Sequence, residues 1–346
     1  MTPKSQGYYF PPEWHPHVAT WITFPHNDHS WQAGKLPSMY PEYFQLIKEI
    51  SKGEIVNINV HDLVLKCFIE SQLPLYGINS DQINCHVRPT NDAWCRDHGP
   101  AFLVHRTNSS RMIVDWEYNA WGGKYPPFED DNNMPVGIAE SLNLPFAQPK
   151  IIMEGGSVEF NGVGTLLTSR SCLLNANRNP HLNQSQIEAY LMDYYGVDQV
   201  LWVSDGIVGD DTDGHIDDTV RFVNSDTVIA MVEPKKSDEN HAVLAKNLSE
   251  LSQMRLISGK QLNIVELPMP DPVIIDEFRA PGSYANFYIA NSGVLVPTFD
   301  CPQDDIALHL LEQLFTDRPV IGLSAKKIIW GQGSFHCLTQ QEPQGN

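Results

Sequence analysis

The sequence predicts a mixed α/β fold made of about five β-β-α-β units closed around a centre. Three observations predict it. Hairpins that turn on an asparagine recur at 157–169 (SVEF-NGVG-TLLTS), 220–232 (VRFV-NSD-TVIAMV) and 287–298 (FYIA-NSG-VLVPT), with Asn161, Asn224 and Asn291 standing 63 and 67 residues apart. Each hairpin is followed by a stretch with helical spacing and then by another strand-like run. Unusual polar turns precede hairpins, as TNDAWCRDHGP at 90–100, MEGGS at 153–157 and GDDTDGHIDDT at 209–219, with a further one, GQGSFHCLTQQ, at 331–341. A period in the sixties divides 346 residues into about five units.

Taken in order, PEYFQLIKEISKGEIVNINV (41–60) reads as a helix leading into a strand. AFLVH-RTNSS-RMIVDW (101–116) is a looser hairpin with a longer polar turn. The 157–169 hairpin leads into HLNQSQIEAYLMDYYG (181–196), whose apolar residues return at helical spacing, and then into the β-rich run QVLWVSD (199–205). The 220–232 hairpin is followed in the same way by ENHAVLAKNLSELSQM (239–254) and QLNIVELP (261–268), and the 287–298 hairpin by PQDDIALHLLEQLF (302–315) and PVIGLS (319–324). A linear stack of such units would repeat its surface motif, whereas these polar turns differ in sequence, so closure is expected rather than a solenoid. No Pro-, Gly- or Ser-rich linker divides the chain, and residues 1–346 read as a single domain.

Asp and Glu total 42 against 23 Lys and Arg, a formal net charge of −19. That balance speaks against a nucleic-acid partner, which needs a basic face, and suits a small cationic ligand, although acidity for solubility alone is the simpler account of the charge. No segment reaches 18 uncharged apolar residues, and the first thirty residues carry no basic stretch followed by an apolar one. No membrane association and a cytoplasmic location are therefore expected. The six cysteines, without a CxxC pair, suggest neither a disulfide scaffold nor a zinc ribbon.

The polar turns hold the residues that carry chemistry. Asp97, Glu154, His215 and Cys337 are spaced by 57, 61 and 122 residues, the last being twice 61. Equivalent turns would then bring two acids, a histidine with its neighbour Asp217, and a cysteine to one cavity. Singly, each has an ordinary reading: Arg96-Asp97 as an ion pair, Glu154-Gly155-Gly156 as a turn with Gly at positive φ, His215 as a satisfied turn histidine, Trp94 as a core aromatic, Cys337 as a small buried apolar residue. Their joint, even spacing points to function. Cys95, beside Arg96 and near His98, is a rival nucleophile, while the remaining cysteines, such as Cys67 in VLKCFI and Cys172 in RSCLL, read as packing. Asp210, Asp211, Asp213, Asp217 and Asp218 with His215 form a candidate metal site. Setting Gly214 at the EF-hand glycine, however, puts Gly209 and Val220 where carboxylates are required, and no HExxH occurs, so neither a metal nor another cofactor is called for.

The set WCRD, EGGS, GHID and the cysteine of HCLTQQ, with PPEWHPHVATWITFPHN near the start and CLLNANRNP at 172–180, resembles the agmatine deiminase and bacterial peptidylarginine deiminase branch of the guanidine-modifying (pentein) superfamily. The likeness covers nearly the whole chain. One departure is Gly331-Gln332-Gly333-Ser334, where the branch commonly has Gly-Gly-Gly-Asn. The resemblance implies a five-bladed α/β propeller of ββαβ modules with pseudo-fivefold symmetry. It also implies that Cys337 attacks a guanidinium carbon, that His215 protonates the leaving ammonia and then activates water, that Glu154 supports His215, and that Asp97 and Asp217 clamp the substrate. Trp94 would close over the cation. Such chemistry suits these residue types, because the guanidinium carbon is a poor electrophile that needs a thiolate, and its N–H forks match carboxylates. The expected partner is a small cationic guanidino compound. Agmatine, giving N-carbamoylputrescine and ammonia, is the first expectation, with free or peptidyl arginine as the alternative and a non-catalytic arginine-binding module as a different class. A homo-oligomer stays open, and DWEYNAWGGKYPP (115–127) reads as a lid or an interface.

Overall fold

The structure is a computed structural model describing residues 1–31 and 34–346. Its fold is mixed α/β, and among the described residues the strands form five sheets of three or four strands and one two-stranded hairpin. Three sheets follow one pattern: two strands pair antiparallel, a helix crosses over, and a third strand adds in parallel, as a parallel partner requires. They are Val158–Phe160, Thr165–Ser169 and Gln199–Val203 around the helix Gln184–Tyr195, then Val220–Phe222, Thr227–Val232 and Asn263–Pro268 around Asn240–Gln253. The third comprises Tyr288–Ala290, Gly293–Thr298 and Val320–Ser324 around Gln303–Leu314. The looser hairpin behaves likewise, with Ala101–His105, Arg111–Val114 and Phe146–Ala147 joined by way of Met134–Leu142, and with Tyr8–Tyr9 added on its edge.

The helix boundaries have local causes. At the start of Gln184–Tyr195, Asn183 accepts from the Gln186 backbone while the Gln186 side chain returns the bond, and Gly196 ends the helix at φ 68°. Ile187, Leu191 and Tyr195, four apart, are its buried face.

The chain termini supply the hairpin that the 41–60 segment lacks. Thr339–Pro343 pairs antiparallel with His17–Thr23, and Ile55–Val60 adds in parallel after the helix Tyr40–Ile50. Leu63–Gln72 and Ile83–Val87 extend this sheet, an addition the sequence period does not announce. Two of the recurring asparagines tie one hairpin to the next sheet: Asn161 Nδ2 donates to Ser225 O at 3.0 Å, and Asn291 exchanges bonds with the His17 backbone at 2.9 and 3.0 Å. Asn224 instead accepts from Asp226 N within its own turn.

A short helical turn precedes one strand in each of the five larger sheets, at Cys95–His98 before Ala101–His105, Gly155–Ser157 before Val158–Phe160, Ile216–Asp218 before Val220–Phe222, Tyr284–Asn286 before Tyr288–Ala290 and Phe335–Leu338 before Thr339–Pro343. Each touches the next in that order, and the last touches the first. Behind them lies a buried ionic network. Glu13 Oε1 pairs with Arg221 Nη2 at 3.0 Å and accepts from Ile289 N at 2.7 Å; its Oε2 contacts Arg96 Nη2 at 3.3 Å and His336 Nε2 at 2.7 Å. Arg221 also donates to Glu159 Oε2 at 2.9 Å and to the carbonyls of Ala285 and Phe287 at 2.9 and 2.7 Å, with no exposed surface. Burial pushes the Glu13 carboxyl up, but Arg221, His336 and Arg96 outweigh it and hold it far below the usual carboxylate range.

Removing one partner of such a network leaves uncompensated buried charge. Arg221→Met should therefore lower unfolding stability by about 3–5 kcal/mol in urea titrations. A loss below about 1 kcal/mol would show that the network is not what holds the five turns together.

Candidate active site

Cys337 is presented by the last of the five turns and is 5% exposed. Its Sγ lies 3.1 Å from Asn286 Nδ2, which donates, and 3.7 Å from Asp217 Oδ2. The Asn286 amide is fixed, because its Oδ1 accepts from the backbone nitrogens of His336 and Cys337 at 3.1 and 3.3 Å and its Nδ2 also reaches Asp218 Oδ1 at 3.0 Å. Burial first, then Asp217, Asp218 and Asp97, push the Cys337 thiol well above its ordinary range. Without another cation nearby, Cys337 is therefore a thiol.

Asp97 and Asp217 come from the first and third turns. Asp97 Oδ1 accepts from Gly156 N at 3.0 Å and its Oδ2 from Trp121 Nε1 at 2.9 Å. Asp217 Oδ2 accepts from His336 Nδ1 at 2.7 Å, whereas its Oδ1 is buried without a hydrogen-bond partner. The two carboxylates meet His215 over Gly156. A Cβ on that glycine would lie 2.6 Å from His215 Nδ1, 2.8 Å from Asp97 Oδ1 and 3.0 Å from Asp217 Oδ2. The ordinary reading of Glu154-Gly155-Gly156 as a positive-φ turn is thus corrected: neither glycine has positive φ, and Gly155 is needed because a Cβ would fall 2.1 Å from Arg96 O.

His215 is buried, with its backbone N–H fixed by Asp210 Oδ2 at 3.0 Å and neither ring nitrogen hydrogen-bonded. Nδ1 is 3.7 Å from Asp97 Oδ1 and Nε2 is 3.8 Å from Glu154 Oε2. Burial alone would lower its pKa, but Asp97, followed by Cys172 and Glu154, holds it well above the ordinary histidine value. Glu154 acts on His215 across this gap as a charge. Its other oxygen is paired with Arg178 Nε at 2.6 Å, and this pairing, with His215, overcomes burial and keeps Glu154 below its usual range.

Glu154, Cys172 and His215 offer ligand atoms within 4.8 Å of one another. Arg178 already supplies the cation that balances Glu154, and burial with Glu154 pushes the Cys172 thiol up, so this set suits a divalent ion poorly. Cys172 packs in the core as expected, and its Sγ also lies 3.8 Å from Glu154 Oε2. The acidic run disperses: Asp210 caps its own loop through Thr212 and His215, Asp213 pairs with Arg178 and Lys124 at 2.6 and 2.9 Å, and Asp218 bonds Asn286. The rival Cys95 packs with Trp21 and Phe102, and burial pushes its thiol up to about 12. Cys67, expected in packing, is exposed.

A cleft with about 510 Å³ of open space leads to Cys337 and Asp97, walled by Trp94, Trp121 and Tyr125 with Asp92 and Asp211 also on its lining. Trp94 is buried and stacks on Trp31 at 5.2 Å. The aromatic segment at 115–127 thus contributes wall residues, among them Trp121 at φ 53°. A second cavity of about 530 Å³, lined by Glu13, Arg96, Glu159 and His336, shares Asp97 with the cleft but holds no nucleophile. Sequence reasoning missed Asn286, although Ser-Tyr-Ala-Asn stands directly before the 287–298 hairpin, where the repeat calls for a polar turn. It also missed His336, Arg178 and Trp121.

The family described as Porphyromonas-type peptidyl-arginine deiminase matches residues 9–343. An agmatine deiminase of Pseudomonas syringae pv. tomato is 33% identical over 99% of this chain and 97% of its own. The structure of the Enterococcus faecalis agmatine deiminase superposes with TM-score 0.90 at 29% identity, covering 99% of this chain and 98% of that one. A cysteine-to-serine variant of the C. jejuni agmatine deiminase with substrate bound gives 0.88 at 30% identity, over 98% and 97% of the two chains.

The charges around Cys337 separate two effects of one substitution. Asp217→Asn removes a negative neighbour of the thiol, so alkylation of Cys337 by neutral iodoacetamide at pH 7 should quicken by about threefold or more. The same variant should lose about 10²–10⁴ in kcat/KM for a guanidino substrate. Slower alkylation would show that Asp217 does not raise the thiol.

Proposed function

The chain belongs to the Porphyromonas-type peptidyl-arginine deiminase family, and from that premise we propose that it hydrolyses agmatine to N-carbamoylputrescine and ammonia through a covalent intermediate on Cys337. The observation that carries this reading is geometric: His215 and the carboxylates of Asp97 and Asp217 meet over Gly156, and the buried Cys337 Sγ lies 3.7 Å from Asp217 Oδ2.

Entry of a guanidinium between Asp97 and Asp217 supplies the cation that the thiol lacks, so substrate binding and thiolate formation support one another. As the guanidinium settles, the Cys337 thiol gives its proton to solvent, and the thiolate adds to the guanidinium carbon. His215 gives its proton to the departing nitrogen, which leaves as ammonia, and the carbon stays on Sγ as a thiouronium. The neutral imidazole then takes one proton from water as the water oxygen attacks; collapse breaks the C–S bond, and the remaining hydroxyl proton returns to Sγ, restoring the thiol and leaving a neutral ureido product. Proton transfer of this kind contributes roughly 10²–10⁴-fold. Asp217 Oδ1, unpaired in the free enzyme, is suited to accept a guanidinium N–H. Trp94 in the cleft wall is suited to a cation–π contact.

The cleft lining favours agmatine over arginine. It carries Asp92, Asp97 and Asp211 and, among the described residues, neither Lys nor Arg. With Asp97 taken by the guanidinium, the distal ammonium of agmatine suits Asp211 and Asp92; the α-carboxylate of arginine would face like charge. We also infer a five-bladed ββαβ ring forming one unit over 1–346, supported by the cyclic contact of the five turns and by the pairing of C-terminal with N-terminal strands. No described helix is long and apolar enough to cross a membrane. The six free thiols suit the reducing cytoplasm that we propose as the site of action.

Agmatine, arginine, a blocked arginine peptide and butylguanidine, scored for ammonia and ureido product, test the reading. Agmatine should lead arginine by at least about 10²-fold in kcat/KM. Butylguanidine, lacking the distal charge, should fall between them. An arginine value within tenfold of agmatine would overturn the substrate assignment, and activity persisting in Cys337→Ser would overturn the mechanism.

A further inference from the structure

His336, the residue directly before the nucleophile, sits between two carboxylates. Nδ1 lies 2.7 Å from Asp217 Oδ2 and Nε2 lies 2.7 Å from Glu13 Oε2, with the side chain 2% exposed. An ionised carboxylate only accepts, so with both oxygens negative both ring nitrogens must donate, which requires an imidazolium. The charge count agrees. Around this ring lie Glu13, Glu159 and Asp217 against Arg96 and Arg221, three acids and two guanidinium ions. A third cation closes the balance. The ring is fixed by more than these bonds, since the His336 backbone N donates to Asn286 Oδ1 and its carbonyl accepts from Arg96 Nε at 3.2 Å.

We propose that His336 is a positioning residue whose imidazolium keeps Asp217 ionised in the absence of substrate and occupies Oδ2, so that Oδ1 stands ready for the guanidinium. This rests on Asp217 being a substrate clamp. Asp217 needs such help because it is fully buried, with Asp218 on its own turn and Asp97 on a facing one, and His215, at the start of its own turn, is shared with Asp97. Burial alone would raise its pKa; the bond and charge of His336, with His215 and Arg221, hold it below the usual range instead. The imidazolium also spares the thiol a second role for its neighbour: His336 faces Asp217 and Glu13, leaving proton transfer to His215.

The test is the pH profile of kcat/KM for agmatine in His336→Asn, which keeps a polar side chain but removes the cation. Asp217 should then be protonated in the free enzyme over a higher pH range, so the variant gains an acid limb beyond the one that the Cys337 thiol already gives wild type, and its kcat/KM falls more steeply toward low pH. Its ratio of kcat/KM at pH 6 to that at pH 8.5 should drop at least about tenfold relative to wild type. His336→Gln, measured alongside, should show the same limb. A uniform loss at all pH values that tracks a lowered melting temperature would overturn the proposal, as would failure of both variants to fold, since either outcome assigns His336 to structure alone. Asp217→Asn separates the two levels. If it leaves kcat/KM unchanged, the clamp reading itself fails; if it loses activity while His336→Asn gains no acid limb, only the role of His336 fails.

Discussion

The buried carboxylate of Glu13 is the interaction on which the centre of the molecule depends. It arrives from the N-terminal segment and reaches Arg96 of the first turn, Arg221 of the strand after the third turn and His336 of the last, besides the Ile289 backbone. Parts of the chain more than 300 residues apart are thereby brought to one oxygen pair. Buried ion pairs rarely add net stability over apolar packing, because desolvation consumes the attraction. What this one adds is placement. Two of its partners, Arg96 and His336, stand directly beside Asp97 and Cys337 in sequence, so an error in the hub would be an error in the site.

The site built on that hub is electrostatically incomplete without a cation. Cys337 faces Asp217, Asp218 and Asp97, and burial reinforces what they do to its thiol. His215 supplies positive charge, but Asp97 and Glu154 already draw on it. A free enzyme with a quiet thiol and a half-satisfied Asp217 is the expected state of a catalyst whose substrate is itself the missing ion. Under the proposed mechanism, activation of the thiol is tied to a guanidinium between Asp97 and Asp217. The arrangement also explains why the acids tolerate one another: each has its own fixed donor, Gly156 N and Trp121 for Asp97, His336 for Asp217 and Asn286 for Asp218.

The hairpins were legible because alternating apolar strands joined by Asn-rich turns are a local signal, and Asn161 and Asn291 recur for a non-local reason, their bonds to the next sheet. The crossover helices were legible from their spacing. Less legible was whatever depends on contact between distant turns. Tyr284–Asn286 carries no charged residue, so its equivalence to the acidic turns was hidden although its position fitted the repeat. Glu13, Arg178 and Arg221 look like ordinary charges in sequence, and only burial reveals that each has a buried partner. His336 was concealed by its neighbour, since a His-Cys pair draws attention to the thiol. The two glycines of EGGS were noticed for a conformational reason and are required for a spatial one.

The segment 331–334, where this chain departs from the Gly-Gly-Gly-Asn pattern, obeys the same distinction between conformation and space. Gly331 and Gly333 admit no side chain, because a Cβ would lie 2.6 Å from the Trp31 ring and 2.4 Å from the Trp94 ring. Gln332 between them adopts φ 71°, a left-handed conformation that glycine takes freely and glutamine takes at a penalty of about 1 kcal/mol. The constraint at 331 and 333 is thus contact with the stacked indoles, while the constraint at 332 is a modest torsional one that a side chain can bear. Gln332 lies on the cleft lining beside Tyr125. Gln332 therefore puts a side chain on the cleft lining without meeting the indoles that exclude one at 331 and 333.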